Sequence, residues 1–275
     1  MNAVKALNTQ DHALGFARKI SNEDYHKCSE LSNSQNNIII DQSPAHFMEY
    51  KTNPPASTPA QITGQIVHLA VLEPERFLDT AVAMPAVDRR TKEGKNFYEH
   101  FLIENHGKVI LEDKIYHQAF GMIGAIMAHP AASKILKKNH NELSFFGSLE
   151  GVAARCRPDI IRDGNLVADL KTTEDASLSE FQKTIGSYRY HRQAAWYLDL
   201  IAQVTGQKYD TFTFIAAEKK PPYAVQVFVL DEASIEKGRE EYKRGLEIYA
   251  KCLAENKWPA YSEQVEPINL PSWMW

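Results

Sequence analysis

Two aspartates and one lysine in the middle of the chain have residue types and a spacing that suit hydrolysis of a phosphodiester bond. Asp159 follows Arg-Pro, and Asp169 and Lys171 lie two residues apart in an apolar, β-branched run. Side chains two apart on a strand project from the same face. A carboxylate can hold a divalent cation against a phosphate, while a neighbouring ammonium can position water and offset the phosphate's charge. The three residues therefore predict a nuclease-type site.

The connection between the strands of this predicted hairpin decides whether the two aspartates can cooperate. Asp163-Gly164 is a strong turn signal. A simple two-residue turn there would direct Asp159 away from Asp169, because a shift of one residue moves a side chain to the opposite face. We therefore predict an odd-length connection or a bulge, with Gly164 or Asn165 in the left-handed region.

A helix upstream places a histidine where it could join this site. Ser57 or Thr58 can cap a helix that Pro59 opens and Pro74 closes. His68 lies near the end of this otherwise apolar helix. Taken alone, such a histidine is more often a hydrogen-bonded core residue than a ligand, although imidazole is the commonest metal ligand. Both interpretations stay open.

A second helix carries two polar side chains on one face. Gln193 and Tyr197 are four residues apart, which makes them neighbours on a helix surface. The alternative is an ordinary amphipathic helix that uses Trp196 and Leu200 as core residues. Neither motif is specific by itself, so only the whole set of motifs can identify a site.

In their order along the chain, these motifs resemble the RecB-like branch of the PD-(D/E)xK nuclease superfamily. The set is a Gly-x-x-x-His helix ending in Leu-Glu-Pro, then Arg-Pro-Asp, Asp-Leu-Lys-Thr and Gln-x-x-x-Tyr. Upstream, residues 31–34 and 43–50 are similar to the opening of the exonuclease VIII, or RecE, nuclease domains. The resemblance extends from Tyr25 to the C-terminus. One departure is Asp169, where many members of the superfamily carry Glu.

The resemblance implies a role for each matching residue. His68, Asp159 and Asp169 would be metal ligands together with the backbone carbonyl of Leu170, and Lys171 would be the catalytic lysine beside the two acids. The implied cofactor is Mg²⁺, which favours oxygen ligands. Mn²⁺ should substitute because it also tolerates an imidazole.

Six further residues are expected around this centre. They are Gln193, Tyr197, Arg189, Arg192, Glu142 and Glu150. The first two would support the site or contact the nucleic-acid backbone, and the two arginines beside them are candidates for DNA binding. The two glutamates near the hairpin are candidates for a supporting layer behind the ligands, with solvent-facing charge as the alternative.

Charge and cysteine content limit the possible functions. The chain has 31 Lys and Arg against 35 Asp and Glu, a net charge of −4, so attraction to DNA must come from local patches. Its three cysteines, Cys28, Cys156 and Cys252, are scattered and odd in number, which favours neither a disulfide framework nor a zinc site. A four-cysteine iron–sulfur cluster, which some relatives of this nuclease branch carry, is excluded.

The pattern of predicted elements favours an α/β fold of the PD-(D/E)xK (restriction-endonuclease-like) type, a mixed sheet flanked by helices. Residues 1–24 are expected to form an N-terminal preamble, and residues 25–275 a single nuclease domain. The aromatic tail from Trp258 is expected to pack on the core, with a docking peptide as the alternative. No long apolar run and no signal peptide is evident, so we expect a cytoplasmic protein without a membrane anchor. The expected elements are helices over residues 112–129 and 231–255 and from a capping box at Ser177 to about Val204, and strands over residues 143–148, 209–217 and 223–230.

The resemblance implies a 5′→3′ double-strand DNA exonuclease that produces 3′ single-strand overhangs for phage-type recombination. It also implies a ring-shaped homo-oligomer acting on double-stranded DNA ends, with a single-strand annealing protein of the RecT type as partner. Two alternatives remain. One is an endonuclease or single-strand nuclease using the same site, and the other is a nucleic-acid-binding protein with an inactive nuclease fold.

Overall fold

The computed structural model describes residues 15–56, 58–137, 140–141, 143–162 and 165–274. These residues form mixed sheets flanked by helices, which confirms the predicted α/β class. Up to residue 128 the elements are β1 (Phe16–Arg18), α1 (Asn22–Lys27), β2 (Leu31–Ser32), α2 (Asn33–Asp41), α3 (Pro44–Thr52), α4 (Pro59–Leu72), α5 (Pro74–Thr80), β3 (Ala81–Ala83), α6 (Lys92–Glu104), β4 (Val109–Leu111) and α7 (Asp113–Ala128). The remaining elements are α8 (Pro130–Leu136), β5 (His140–Asn141), β6 (Ser144–Leu149), β7 (Val152–Cys156), β8 (Ile160–Arg162), β9 (Leu166–Thr173), α9 (Leu178–Tyr188), α10 (Tyr190–Thr205), β10 (Thr211–Glu218), β11 (Val225–Val229), α11 (Glu232–Glu255) and a short 3₁₀ turn (Ser272–Met274).

The sheet that carries the predicted site has five strands in the order β11, β10, β9, β8, β5. Strands β9 and β10 are parallel, and the other neighbours are antiparallel. In β10 the residues from Phe212 to Ala217 are all buried. A continuously buried run that is apolar except for Thr213 is typical of a strand covered on both faces.

A second sheet joins the N-terminal segment to the core. Its four strands have the order β1, β6, β7, β2, and Phe16 pairs with Phe146. Part of the predicted preamble is therefore a strand of the domain, so the boundary expected at residue 24 is too late. The first fourteen residues of that preamble lie outside the described part of the chain.

Helices cover both faces of the five-stranded sheet and divide the core into two clusters. One cluster includes Trp196 and Leu200 of α10 and Tyr242 of α11. The other includes Val67 of α4 and Met122 of α7. Helix α10 thus has the predicted apolar face as well as the polar residues of the motif. It is both an amphipathic core helix and the carrier of Gln193 and Tyr197.

The helix boundaries follow local sequence in most places. Thr58 forms a capping box with Gln61, and Pro59 opens α4, as predicted. Helix α7 ends before Pro130, which opens α8 after a bend of 91°. At α9 the expected capping box does not form, because the Ser177 side chain makes no capping hydrogen bond.

The tail beyond α11 is partly packed. Trp258 contacts Phe47 and Tyr249, as expected for packing on the core, whereas Val265 and Ile268 further along are exposed. Within the described residues, no single helix is long and apolar enough to cross a membrane, and only the bent pair α7 and α8 reaches that length and composition together.

Candidate active site

The hairpin of β8 and β9 places Asp159 and Asp169 opposite each other. Arg162 pairs with Leu166, so three residues connect the strands, and Asn165 among them has φ of 70°. The odd-length connection and the left-handed Asn165 confirm the prediction. Positions 163 and 164 themselves lie outside the described residues. Continuing the register beyond the Ile160–Ala168 pair brings the two carboxylates to the same face of the sheet.

Asp159 is held by contacts from strand β9 and from helix α4. Its Oδ2 accepts a hydrogen bond from the Leu170 backbone amide at 2.7 Å. The same oxygen lies 3.2 Å from Nδ1 of His68, which α4 brings to the edge of the sheet. His68 is therefore a partner of the predicted acids and not an isolated core histidine.

Asp169 is almost completely buried and contacts two functional side chains. Its Oδ1 accepts a hydrogen bond from Nε2 of Gln193 at 2.6 Å. Its Oδ2 lies 2.6 Å from Nζ of Lys171 but accepts no hydrogen bond of good geometry. A buried carboxylate oxygen with an unfilled acceptor position is the kind of atom that a cation can bind.

Lys171 lies against an aromatic ring that the sequence motifs did not single out. Its Nζ is 4.4 Å from the ring centroid of Tyr190, the first residue of α10. Such a cation–π contact stabilises the ammonium and limits its freedom to move. Tyr190 could not be found from spacing, because its position depends on how α10 packs against β9.

The pKa values at the site follow from burial and pairing. Burial opposes charge on the His68 imidazole, but Asp159 outweighs it and raises the pKa of His68 to about 9. Burial is also outweighed at Asp159, where the imidazolium of His68 lowers the pKa of the carboxyl. Burial and the Asp159 carboxylate together raise the pKa of Asp169. For Lys171, burial opposes the charge while the carboxylate of Asp169 raises the pKa, so the ammonium stays charged.

These ion pairs balance the charges of the site internally. Among the described residues no three His, Cys, Asp or Glu side chains stand together as a ready metal centre. The acids are instead paired, Asp159 with His68 and Asp169 with Lys171. The donor types still fit a divalent cation, since the site offers two carboxylates, one of them with an unfilled oxygen, and an imidazole. Binding would require loss of the imidazole proton.

The Gln-x-x-x-Tyr pair lies directly behind the acids. Gln193 contacts Asp169 and also hydrogen-bonds the Tyr197 side chain. Burial raises the pKa of the Tyr197 phenol well above its usual value, so the hydroxyl stays protonated. Both residues therefore lie where the sequence placed them, with Gln193 in contact with the site and Tyr197 supporting Gln193.

The two arginines beside this motif have structural contacts. Arg192 is only 4% exposed, and its guanidinium pairs with Asp41 at 2.9 Å and Glu241 at 2.5 Å. It joins α10 to α2 and α11, so the expected contact with DNA is not what the structure shows. Arg189 is partly exposed and donates to the Gly186 carbonyl at 3.0 Å and to Asp41.

The two glutamates near the hairpin do not join the described site. Glu150 occupies the tight turn between β6 and β7, with φ of 49°, and pairs with Lys243 of α11 at 2.8 Å. Its carboxylate therefore supports α11, and the expectation that it lies behind the metal ligands is wrong. Glu142 lies outside the described residues.

Comparison with solved structures bears on the fold of the chain. A proposed exonuclease from Eubacterium rectale is 13% identical, with a TM-score of 0.62 over 91% of this chain and 96% of that chain. A phage-related exonuclease from Haemophilus somnus 129PT is 15% identical over 61% of this chain and 85% of that chain, with a TM-score of 0.32. Of these two, only the first is similar enough to bear on the fold. No curated protein matches the chain in sequence.

Family membership follows from a match that spans most of the chain. The family described as a PDDEXK-like domain of unknown function (DUF3799) matches residues 32–271. This span contains every described residue of the site, from His68 to Tyr197. The chain therefore belongs to this PDDEXK-like family, which confirms the superfamily that its motifs indicated.

Proposed function

We propose that this protein is a metal-dependent exodeoxyribonuclease that hydrolyses phosphodiester bonds of double-stranded DNA. The observation that carries the proposal is the placement of Asp159, Asp169 and Lys171 on one face of a hairpin of odd connection length. Family membership supports nuclease chemistry. The description of the Eubacterium rectale protein as a proposed exonuclease supports action at DNA ends.

A divalent cation would be held by His68, Asp159, Asp169 and the carbonyl of Leu170. The Leu170 amide donates to Asp159, just beyond the Ile160–Ala168 pair that ends the ladder of β8 and β9. The amide and the carbonyl of one strand residue face the same side of the strand, so the Leu170 carbonyl also faces Asp159. When bound, Mg²⁺ or Mn²⁺ would lower the pKa of its water and neutralise charge on the phosphate.

Each side chain around the centre would have a distinct task. The ammonium of Lys171 would donate hydrogen bonds to the phosphate or the attacking water and offset negative charge. Gln193 would fix the orientation of Asp169 through the hydrogen bond to Oδ1. Tyr190 would keep the Lys171 ammonium in place. The contacts of Gln193 with Asp169 and of Tyr190 with Lys171 exist before substrate binds.

The finer features are also part of this proposal. We infer 5′→3′ direction, production of 3′ overhangs for recombination, and action in the cytoplasm with a single-strand annealing protein as partner. A ring-shaped homo-oligomer would retain DNA by enclosing it, so topological linkage would replace affinity. This would suit a chain whose net charge is −4. Sedimentation of a monomer at micromolar concentration would remove the ring from the proposal.

The decisive experiment compares end-labelled linear duplex with closed circular duplex, in Mg²⁺ or in EDTA. We expect Mg²⁺-dependent loss of the 5′ label from linear DNA only. Lys171→Ala should lower the rate by at least about 100-fold while DNA binding persists, because it removes a charge-stabilising donor. Lys208→Ala is the matched control, since this lysine is exposed and pairs only with Asp210 among the described residues.

Other outcomes would select the alternatives. Cleavage of closed circles would indicate an endonuclease, and faster loss of single strands would indicate a single-strand nuclease. If the wild-type protein binds DNA but cleaves neither substrate with Mg²⁺ or Mn²⁺, a nucleic-acid-binding role is the better account.

A further inference from the structure

The exposed aromatic ring of Tyr188 is linked to Lys171 through the ring of Tyr190. The ammonium of Lys171 lies over the ring of Tyr190, with Nζ 4.4 Å from its centroid. The ring of Tyr190 in turn stacks on that of Tyr188, with centroids 5.6 Å apart and planes inclined by 19°. Tyr188 is therefore within a few nucleotides of any phosphate bound at Lys171, because a DNA strand carries a phosphate roughly every 3.4 Å of helix axis.

The backbone between the two tyrosines is shaped to stack them. Residues two apart in a continuous helix do not face each other. Here α9 ends at Tyr188, Arg189 adopts the left-handed conformation with φ of 59°, and α10 begins at Tyr190. The Arg189 guanidinium anchors this junction by donating to the Gly186 carbonyl at 3.0 Å. The stacked arrangement thus depends on a specific helix break.

The two rings have different environments. Tyr190 is partly buried and also contacts Phe181 and Phe214 of the core. Tyr188 is 67% exposed although one of its faces lies on Tyr190. Its opposite face is therefore open to solvent. A ring fixed on one face and open on the other is a platform on which a planar group can stack.

We propose that Tyr188 is a positioning residue that stacks on a nucleobase of the strand whose phosphate lies at Lys171. This inference rests on the proposed nuclease function and names how its substrate is held. Aromatic stacking suits the task because every base has a π-face, so the contact tolerates any sequence. The base that it accepts must be unpaired or at a frayed end, since a base inside a duplex has no free face.

The first test separates stacking from other roles of the ring by steady-state cleavage of linear duplex. Tyr188→Leu keeps an apolar side chain but removes the π-face, whereas Tyr188→Phe keeps the π-face and removes the hydroxyl. We expect Tyr188→Leu to raise KM by about 5- to 100-fold with little change in kcat. Tyr188→Phe should retain the wild-type KM. Equal KM values for Tyr188→Leu and the wild type would overturn the proposal.

A second test reads stacking directly and requires no cleavage. Oligonucleotides carry 2-aminopurine at successive positions from the 5′ end, and binding is saturated in EDTA. We expect quenching at one position by the wild type and by Tyr188→Phe, and none by Tyr188→Leu. Absence of quenching by the wild type at all positions would contradict the stacking role. Failure of the nuclease proposal would instead appear as absence of Mg²⁺-dependent cleavage by the wild type.

Discussion

At the scale of single residues, the buried charges of the site neutralise one another in pairs. Asp159 and Asp169 are buried on one face, and His68 and Lys171 supply the opposite charges. Burial makes each unpaired charge costly, so loss of one member affects the others. Asp169 is the most sensitive position, because its Oδ1 accepts a hydrogen bond from Gln193 and its Oδ2 lies 2.6 Å from the ammonium of Lys171.

Asp169→Asn tests the ligand assignment with the smallest change in shape. The amide oxygen can still accept from Gln193, but the charge that would hold a cation is gone. We expect loss of Mn²⁺ binding by calorimetry and at least about 100-fold slower cleavage. Asp210→Asn, at a partly exposed acid outside the site, serves as control. Undiminished Mn²⁺ binding by Asp169→Asn would refute the role of this residue as a ligand.

At the scale of elements, the three-residue connection between β8 and β9 sets the register that brings the acids together. Asn165 supports it by adopting φ of 70°, a conformation that Asn and Gly tolerate and β-branched residues do not. The connection is therefore a structural requirement of the site, although it contributes no side chain to the described contacts.

Asn165→Val should strain this connection, whereas Asn165→Gly should preserve it. We expect the valine variant to lose about 1 to 2 kcal/mol of unfolding free energy in urea, because of the left-handed backbone. It should also cleave DNA more slowly if the register shifts. The glycine variant should match the wild type in both measurements. Equal stability of the valine and glycine variants would show that the left-handed conformation is not required.

Some features of these elements could be predicted from the sequence alone, and others could not. The odd connection was predictable because strand side chains alternate with period two, and the two acids require a common face. The helix of His68 was predictable from Thr58 and the prolines around it. The contact of Tyr190 with Lys171 and the burial of Arg192 were not, because both depend on the packing of α10 against distant elements. The pattern within a strand, a hairpin or a helix is visible in the sequence, whereas the packing of a helix against distant elements is not.

At the scale of the whole molecule, the site lies where helices from both core clusters meet the sheet. Helix α4 supplies His68 from one face and α10 supplies Gln193 from the other. A cation bound between them would link the two halves of the core through β8 and β9. Metal binding should then stabilise the fold as a whole, since a ligand that binds only the native state shifts the unfolding equilibrium.

Thermal unfolding in Mn²⁺ and in EDTA measures this link. At about 100 times the dissociation constant, binding should add about 2.7 kcal/mol and raise the melting temperature by about 5 to 10 °C. Asp169→Asn should show no shift, and NaCl at equal ionic strength provides the control for screening of surface charge. Equal midpoints in Mn²⁺ and EDTA would contradict binding of a cation by His68, Asp159 and Asp169.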